Sequence, residues 1–406
     1  MSFLTFGVAF LSRPLGALLV GSFGDKYGPK KAIENSLILI GCSSAILGCI
    51  PTYKNAGPIG PILLFTCRFL QGFSVGGTTM STTIYAVKDK TENRGLTLAV
   101  LQLVTNTGIF LANLISVILR AILDNDQLHK YGWRIPFWLG GIVIFPGIYL
   151  KLCEDENDGN PDFDHKKHFK EVFSKKNVKP TAALTCTAAF SYIGMYMLFT
   201  WTIHLMASIL KPPVPHAFIV SMISILISII LLMPVAGIIV DRYNPLYILA
   251  ISISAFGLLF PLLIFLIVKF RNPIFCGVLL TLAGFGGAIS APGIFLYFEN
   301  KFPPKNRVTT ISFAMHTSSA VFGGFAPAIA TVLFKINRFL PSIMTTVVAI
   351  ISLTALYLAE TRLPIYENEA SFVNDTTGLE NTNGETLIDI ESIATTQLTG
   401  SISTTV

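Results

Sequence analysis

The sequence predicts an all-α polytopic membrane protein, on three observations. Of its 406 residues 52% are hydrophobic and only 13% are charged, where a soluble chain carries about 25% charged residues. The apolar residues gather in runs of about 20, long enough to cross a bilayer as helices. Short polar stretches rich in Lys and Arg separate the runs, and mean hydropathy is +0.64. Cys42, Cys49, Cys67, Cys153, Cys186 and Cys276 form no CxxC pair, so neither a disulfide framework nor a zinc site is indicated.

Eleven spans are expected, over 3–22, 34–51, 62–87, 96–119, 135–152, 181–210, 216–240, 246–268, 274–298, 308–334 and 341–359. Basic residues punctuate them in order. Lys26, Lys30 and Lys31 close the first span, Lys54 the second, and Lys88, Lys90 and Arg94 the third. Arg120, Lys130 and Arg134 follow the fourth, and Lys151, Lys166, Lys167, Lys170, Lys175, Lys176 and Lys179 follow the fifth. Then come Lys211, Arg242, the pair Lys269 and Arg271, the trio Lys301, Lys305 and Arg307, the pair Lys335 and Arg338, and Arg362. Connections after odd-numbered spans hold 18 of the 29 basic residues, those after even-numbered spans 9, and Arg13 and Arg68 lie inside spans. The richer side faces the cytoplasm by the positive-inside rule. That places the C-terminus inside and Met1 outside, with a further helix expected upstream. The net charge of +6 is accounted for by this topology, and no nucleic-acid partner is expected.

Four segments follow: 1–152 with five spans, a basic cytoplasmic linker 153–180, 181–362 with six spans, and a tail 363–406. The tail carries seven acids and no Lys or Arg, a composition expected to leave it a disordered acidic tail in the cytoplasm. The two helical parts repeat. Asp25 matches Asp241, Gly72-Phe73 matches Gly284-Phe285, and Asn93-Arg94 matches Asn306-Arg307, at offsets of 216, 212 and 213 residues. The repeat pairs the first span with the seventh, the third with the ninth and the fourth with the tenth, leaving the sixth unpaired.

The stretch Gly21-Ser22-Phe23-Gly24-Asp25-Lys26-Tyr27-Gly28-Pro29-Lys30-Lys31 resembles the major facilitator signature GxxxDRxGRRK. Arg68-Phe69-Leu70-Gln71-Gly72 resembles the RxxQG motif of that family's fourth helix. Ser12-Arg13-Pro14-Leu15-Gly16, Gln71 to Gly77 and Tyr131-Gly132-Trp133-Arg134-Ile135-Pro136-Phe137 are similar to its metabolite:proton symporter branch. The resemblance runs from about Phe3 to Glu360. It implies a major facilitator fold, a twelve-helix plan of which this chain carries eleven, in a bacterial inner (plasma) membrane. It further implies alternating access around a central site, lined here by the third, sixth and ninth spans. The solute would be a small zwitterion or organic acid such as proline, betaine or a carboxylate, moved with protons. Gly21, Asp25, Gly28, Lys30, Lys31, Arg94, Asp241 and Arg242 would form the gating motif.

The chain departs from that pattern at three places. Pro29 stands where the signature has Arg, and Asp241-Arg242-Tyr243-Asn244-Pro245 keeps the acid but loses the glycine and the basic pair, so both gating latches are expected to be weakened. Thr78 follows Gly76-Gly77 where the branch usually places Glu, which removes a proton-carrying carboxyl from that position.

Arg13 sits mid-span, where insertion of a lone Arg costs about 2.5–3.5 kcal/mol. It needs a solute carboxylate, or else an interhelical partner. Arg68, Gln71, Val75 and Thr78 share one helix face, a polar stripe that serves either a substrate pathway or helix–helix adhesion. Tyr192, Tyr196, Trp201 and His204 on the sixth span offer an aromatic surface for a cation and a proton carrier, or ordinary packing. Glu299 is read as a charge at a loop edge. There is no GxSxG, HExxH or GxxxxGK[ST], so neither catalysis nor a self-contained ATP-driven pump is expected, and no metal or cofactor. The rival readings are a transport-inactive remnant, a non-transporting sensor and an exporter.

Overall fold

The computed structural model describes residues 2–87, 92–153, 164–303 and 307–365. The expected tail lies, apart from 363–365, outside the described residues. Among the described residues eleven helices are long and apolar enough to cross a membrane. They are α1 (Ser2–Tyr27), α2 (Pro29–Cys49), α3 (Ile59–Val87), α4 (Arg94–Ile122), α5 (Gly132–Leu152) and α6 (Lys175–Ile209). After these come α7 (Ala217–Arg242), α8 (Pro245–Phe270), α9 (Pro273–Glu299), α10 (Arg307–Ile336) and α11 (Leu340–Arg362). Helices are the form that a bilayer imposes, because hydrocarbon offers no hydrogen-bond partner to an open backbone.

Proline and asparagine set several starts. Pro29 opens α2 after Gly28 at φ 94°, a left-handed conformation that costs a glycine little. Asn244 and Asn272 cap α8 and α9 by accepting from Leu246 N and Ile274 N, each followed by Pro at the first helical position. Three boundaries move by five residues or more from the sequence expectation, that of α2 from 34 back to Pro29 among them, for a common reason: charged residues at a membrane surface remain helical when water solvates their side chains. Thus α1 runs five residues past position 22 and keeps Asp25 in its last turn, and α6 begins at Lys175, inside the expected linker. That linker also holds a short helix, His165–Val172. Wide π-type turns interrupt α6 at Met197–Trp201 and Leu205–Ile209, α7 at Ser228–Leu232 and α10 at Ser319–Gly323.

Within the first half, α1 and α3 pack backbone to backbone. A Cβ at Gly72 would fall on the carbonyl oxygen of Ala9, and one at Gly76 on that of Arg13. Small residues allow such approach where no hydrophobic effect drives helices together. Two extensive cores follow, one within the second half around Trp201, Met197 and Phe260, the other around Leu249, Phe298 and Phe302 and taking in Met80, Val87 and Leu98 of the first half. Outward faces are apolar, with Ile274 78% and Leu258 74% exposed, as contact with lipid requires.

Two seams join the halves. Along α1 and α10, Gly7 faces Phe325, Phe10 faces Gly324, Arg13 bonds Ser319 and Gly21 faces Thr309. Along α4 and α7, Gly237 packs on Leu96 and Ala99, and Gly95 on Asp241. The sequence repeat pairs α1 with α7 and α4 with α10, so it maps one seam onto the other.

Candidate functional site

At the end of the molecule carrying the α1–α2 turn, each seam is tied by an aspartate on the last turn of one helix to the first turn of the other. Asp25 accepts from the hydroxyl and the backbone N–H of Thr309, the third residue of α10. Asp241 accepts from Gly95 N at 2.6 Å and Leu96 N at 2.9 Å, the second and third residues of α4. An unsatisfied helix N-terminus favours an anion. The departures at Pro29 and after Asp241 leave these bonds intact, because the acceptors are the retained carboxylates and the donors belong to the opposite helix.

The linker joins this contact: His168 is buried with Nε2 3.4 Å from Asp25 Oδ2 and 3.2 Å from Thr309 Oγ1, and Phe173 packs edge-on to Phe313. Glu299 corrects its reading as a loop-edge charge. It is 8% exposed and accepts from Arg94 Nη2 at 2.6 and 2.8 Å, with Arg307 Nη1 at 3.8 Å. Arg94 comes from one half, Glu299 and Arg307 from the other. Replacing Glu299 by Gln leaves two guanidinium groups facing each other. The expected cost is about 1–2 kcal/mol, discounted because Arg94 is partly exposed. A thermal melt checks it, and a loss below about 0.5 kcal/mol would return the pair to a solvent-screened surface role.

The other gating candidates scatter. Gly21 lies against Thr309, Gly28 makes the α1–α2 turn, and Lys30 Nζ donates to Cys153 O at 3.3 Å, while Arg242 is exposed. Lys31 sits in the first turn of α2.

Midway along the α1–α10 seam, Arg13, Tyr192 and Tyr196 come together. Arg13 Nη1 donates to Ser319 Oγ at 3.1 Å, and its guanidinium lies 3.9 Å from the Phe10 ring centroid. Tyr196 meets the same ring edge-on at 5.2 Å, and both tyrosines border Gly323 of α10. Beside them is His316, 3% exposed, which the sequence reading passed over.

Arg68, Gln71 and Thr78 are spent elsewhere. Arg68 Nη1 donates to Gln71 Oε1 at 3.2 Å, and Gln71 Nε2 to Ser44 Oγ of α2 at 2.8 Å. Arg68 also lies 5.2 Å from the Phe137 ring centroid, and Thr78 bonds its own helix at Ser74 O. Trp201 is fully buried against Phe334, and His204 lies in the last turns of α6.

A cavity of about 310 Å³ lies among α4, α6, α7, α8 and α9. Gln102, Asn106, Ser191, Ser228 and Ser252 supply its polar groups, Phe190, Phe199, Phe256 and Phe260 its aromatic ones, and its lining includes no ionisable side chain. A Cβ at Gly286 or Gly287 would meet open space. The sixth and ninth spans line this cavity as expected and the third does not, because its polar stripe faces α2. The singled-out site residues do not border it.

Two helical parts joined along two repeat-related seams, with a cavity among their spans, define a polytopic membrane protein. The family model described as Major Facilitator Superfamily matches residues 2–327, and the chain belongs to that superfamily. It is similar to a proline/betaine transporter of Salmonella typhimurium, 28% identical, with 88% of this chain and 74% of that protein covered. It is also similar to a citrate-proton symporter of Salmonella typhi, 28% identical over 83% and 78%. An inner membrane metabolite transport protein of Escherichia coli is 30% identical over 81% and 77%. Among solved structures, the proton:xylose symporter XylE bound to 6-bromo-6-deoxy-D-glucose superposes with a TM-score of 0.67 at 16% identity, covering 90% of this chain and 86% of its own.

Proposed function

We propose that the protein is a proton-coupled symporter of a small zwitterionic or organic-acid solute, working by alternating access. The observation that carries this reading is the pair of equivalent ties, Asp25 to α10 and Asp241 to α4, which close the same end of both seams. Two halves held by matching, breakable contacts can rock about a central site. Gly21, Asp25, Gly28, Lys30, Lys31, Arg94, Asp241 and Arg242 belong to the gate, and the positive-inside bias puts that gate and the C-terminus in the cytoplasm. The segment 153–180 is the strap between the halves 1–152 and 181–362. The solute class follows from the named relatives, which carry proline, betaine and citrate.

The test is uptake of labelled proline, glycine betaine and citrate into proteoliposomes under an inward proton gradient. Accumulation of proline or betaine is expected, collapsing to the equilibrium level when a protonophore is added. Uptake that survives the protonophore would overturn proton coupling and leave a facilitator. Solute binding without uptake would mean a sensor, outward movement an exporter, and the absence of both a transport-inactive remnant.

A further inference from the structure

The middle of the α1–α10 seam contains basic groups with no acid to match them. Arg13 makes one side-chain hydrogen bond, to Ser319 Oγ at 3.1 Å, and its Nε is buried without an acceptor. His316 lies three residues before Ser319 on α10, on the same face of the helix. It is 3% exposed, neither ring nitrogen has a hydrogen-bond partner, and the charge of Arg13 reaches it. Among the described residues every ion pair of an Asp or Glu is made with another cation than Arg13.

Leaving a buried polar group unpaired costs about 1–3 kcal/mol, and this cluster contains three such atoms, Arg13 Nε on α1 and both ring nitrogens of His316 on α10. A structural arginine would have been given an acid or a backbone carbonyl. A guanidinium beside an imidazole is instead the donor set that suits a carboxylate, whose two oxygens offer about four acceptor sites. The two basic groups also come from different halves, so a ligand held by both would bridge the surfaces that must part during transport.

We propose that Arg13, His316 and Ser319 form the seat for the carboxylate of the transported solute, at the seam between α1 and α10. The proposal rests on the transport reading above and adds to it a place for the solute's negative end, at the seam and outside the lining of the 310 Å³ cavity. Phe10 packs on the Arg13 guanidinium at 3.9 Å and Tyr196 holds the Phe10 ring edge-on at 5.2 Å, so the seat has an aromatic wall on one side.

The test uses the full chain purified in detergent, with L-proline, glycine betaine and citrate as probes and L-prolinamide as the partner lacking a carboxylate. Binding is read by isothermal titration, and folding of each variant by its melting temperature without solute. Wild-type protein should bind at least one carboxylate probe at least about tenfold more tightly than the amide; for Arg13→Lys and His316→Gln the affinity should drop by about tenfold or more, with melting temperature retained. Arg13→Gln should abolish binding. Variants that fold and bind as wild type, or equal affinity for proline and prolinamide where proline is taken up, would overturn the seat and leave the transport reading standing. A wild-type chain that neither binds nor accumulates any probe would overturn both.

Discussion

Asp25→Asn is expected to lower solute uptake by about tenfold or more, and Asp241→Asn by only about two- to fivefold. The asymmetry follows from burial. The Asp25 side chain is 9% exposed and accepts from Thr309 through hydroxyl and backbone while His168 stands 3.4 Å away. Asparagine keeps the shape and one acceptor but loses the charge that both the α10 N-terminus and His168 favour. A hydrogen bond to a charged group is worth about 1.5–3 kcal/mol and a neutral one about 0.5–1.5. The difference, about 1–2 kcal/mol, shifts the closed gate by roughly tenfold. Asp241 makes two good bonds to Gly95 and Leu96, yet it is exposed, so water replaces much of what is lost and the helix-terminus contribution is about 0.3–1 kcal/mol. Uptake in proteoliposomes at matched protein content reads both variants. A cysteine placed at Gly21, against Thr309, would report gate opening by its rate of labelling. Equal uptake by Asp25→Asn and wild type, or the larger loss at Asp241, would mean that these ties do not govern the gate.

The spans were legible because hydrocarbon forces long apolar runs, and the repeat marked Asp25 and Asp241 as equivalent without saying which helix each one meets. What escaped was which partner each polar residue meets. The stripe of Arg68, Gln71 and Thr78 announces a protein-facing surface, but periodicity does not say whether that surface is a cavity or Ser44 on α2. Glu299 sits at the end of an apolar run, where sequence alone reads solvent. Its two arginines arrive from the starts of α4 and α10, one of them across 205 residues. His316 gave no local signal at all: its meaning depends on Arg13, whose nearest bonded neighbour on α10 is 306 residues away. Arg13, Tyr192 and Tyr196 could be singled out one by one, as a costly charge and two aromatics, but their common site exists only once α1, α6 and α10 are packed. The cavity was foreseen only at α6 and α9 for a related reason, since α4, α7 and α8 also line it, with Gln102, Asn106, Ser228 and Ser252, residues too ordinary in a membrane helix to stand out.

The largest expected effect on folding is at the α1–α3 contact. Gly72→Leu should leave almost no folded protein in the membrane, whereas Gly286→Ala should be tolerated or slightly stabilising. Both glycines sit inside long helices, where Ala is favoured over Gly by about 0.8–1 kcal/mol. Propensity therefore treats them alike, and packing decides. At Gly72 even a Cβ would overlap the Ala9 carbonyl oxygen and crowd Ser12 Oγ. The obstacle is backbone, which cannot rotate aside, so the helices must separate along a face that also includes Gly16 against Phe73 and Gly76 against Arg13. Overpacking by flexible neighbours costs about 1–3 kcal/mol; a clash with rigid backbone exceeds that, and it also displaces Arg13 from Ser319. At Gly286 a Cβ meets nothing within 4 Å because the residue faces the cavity. Fluorescence-detected size exclusion of tagged variants gives folded yield, and thermal melts give stability. If Gly72→Leu yields a monodisperse protein melting near wild type, α1 and α3 do not pack backbone to backbone, and the position of Arg13 against α10 falls with them.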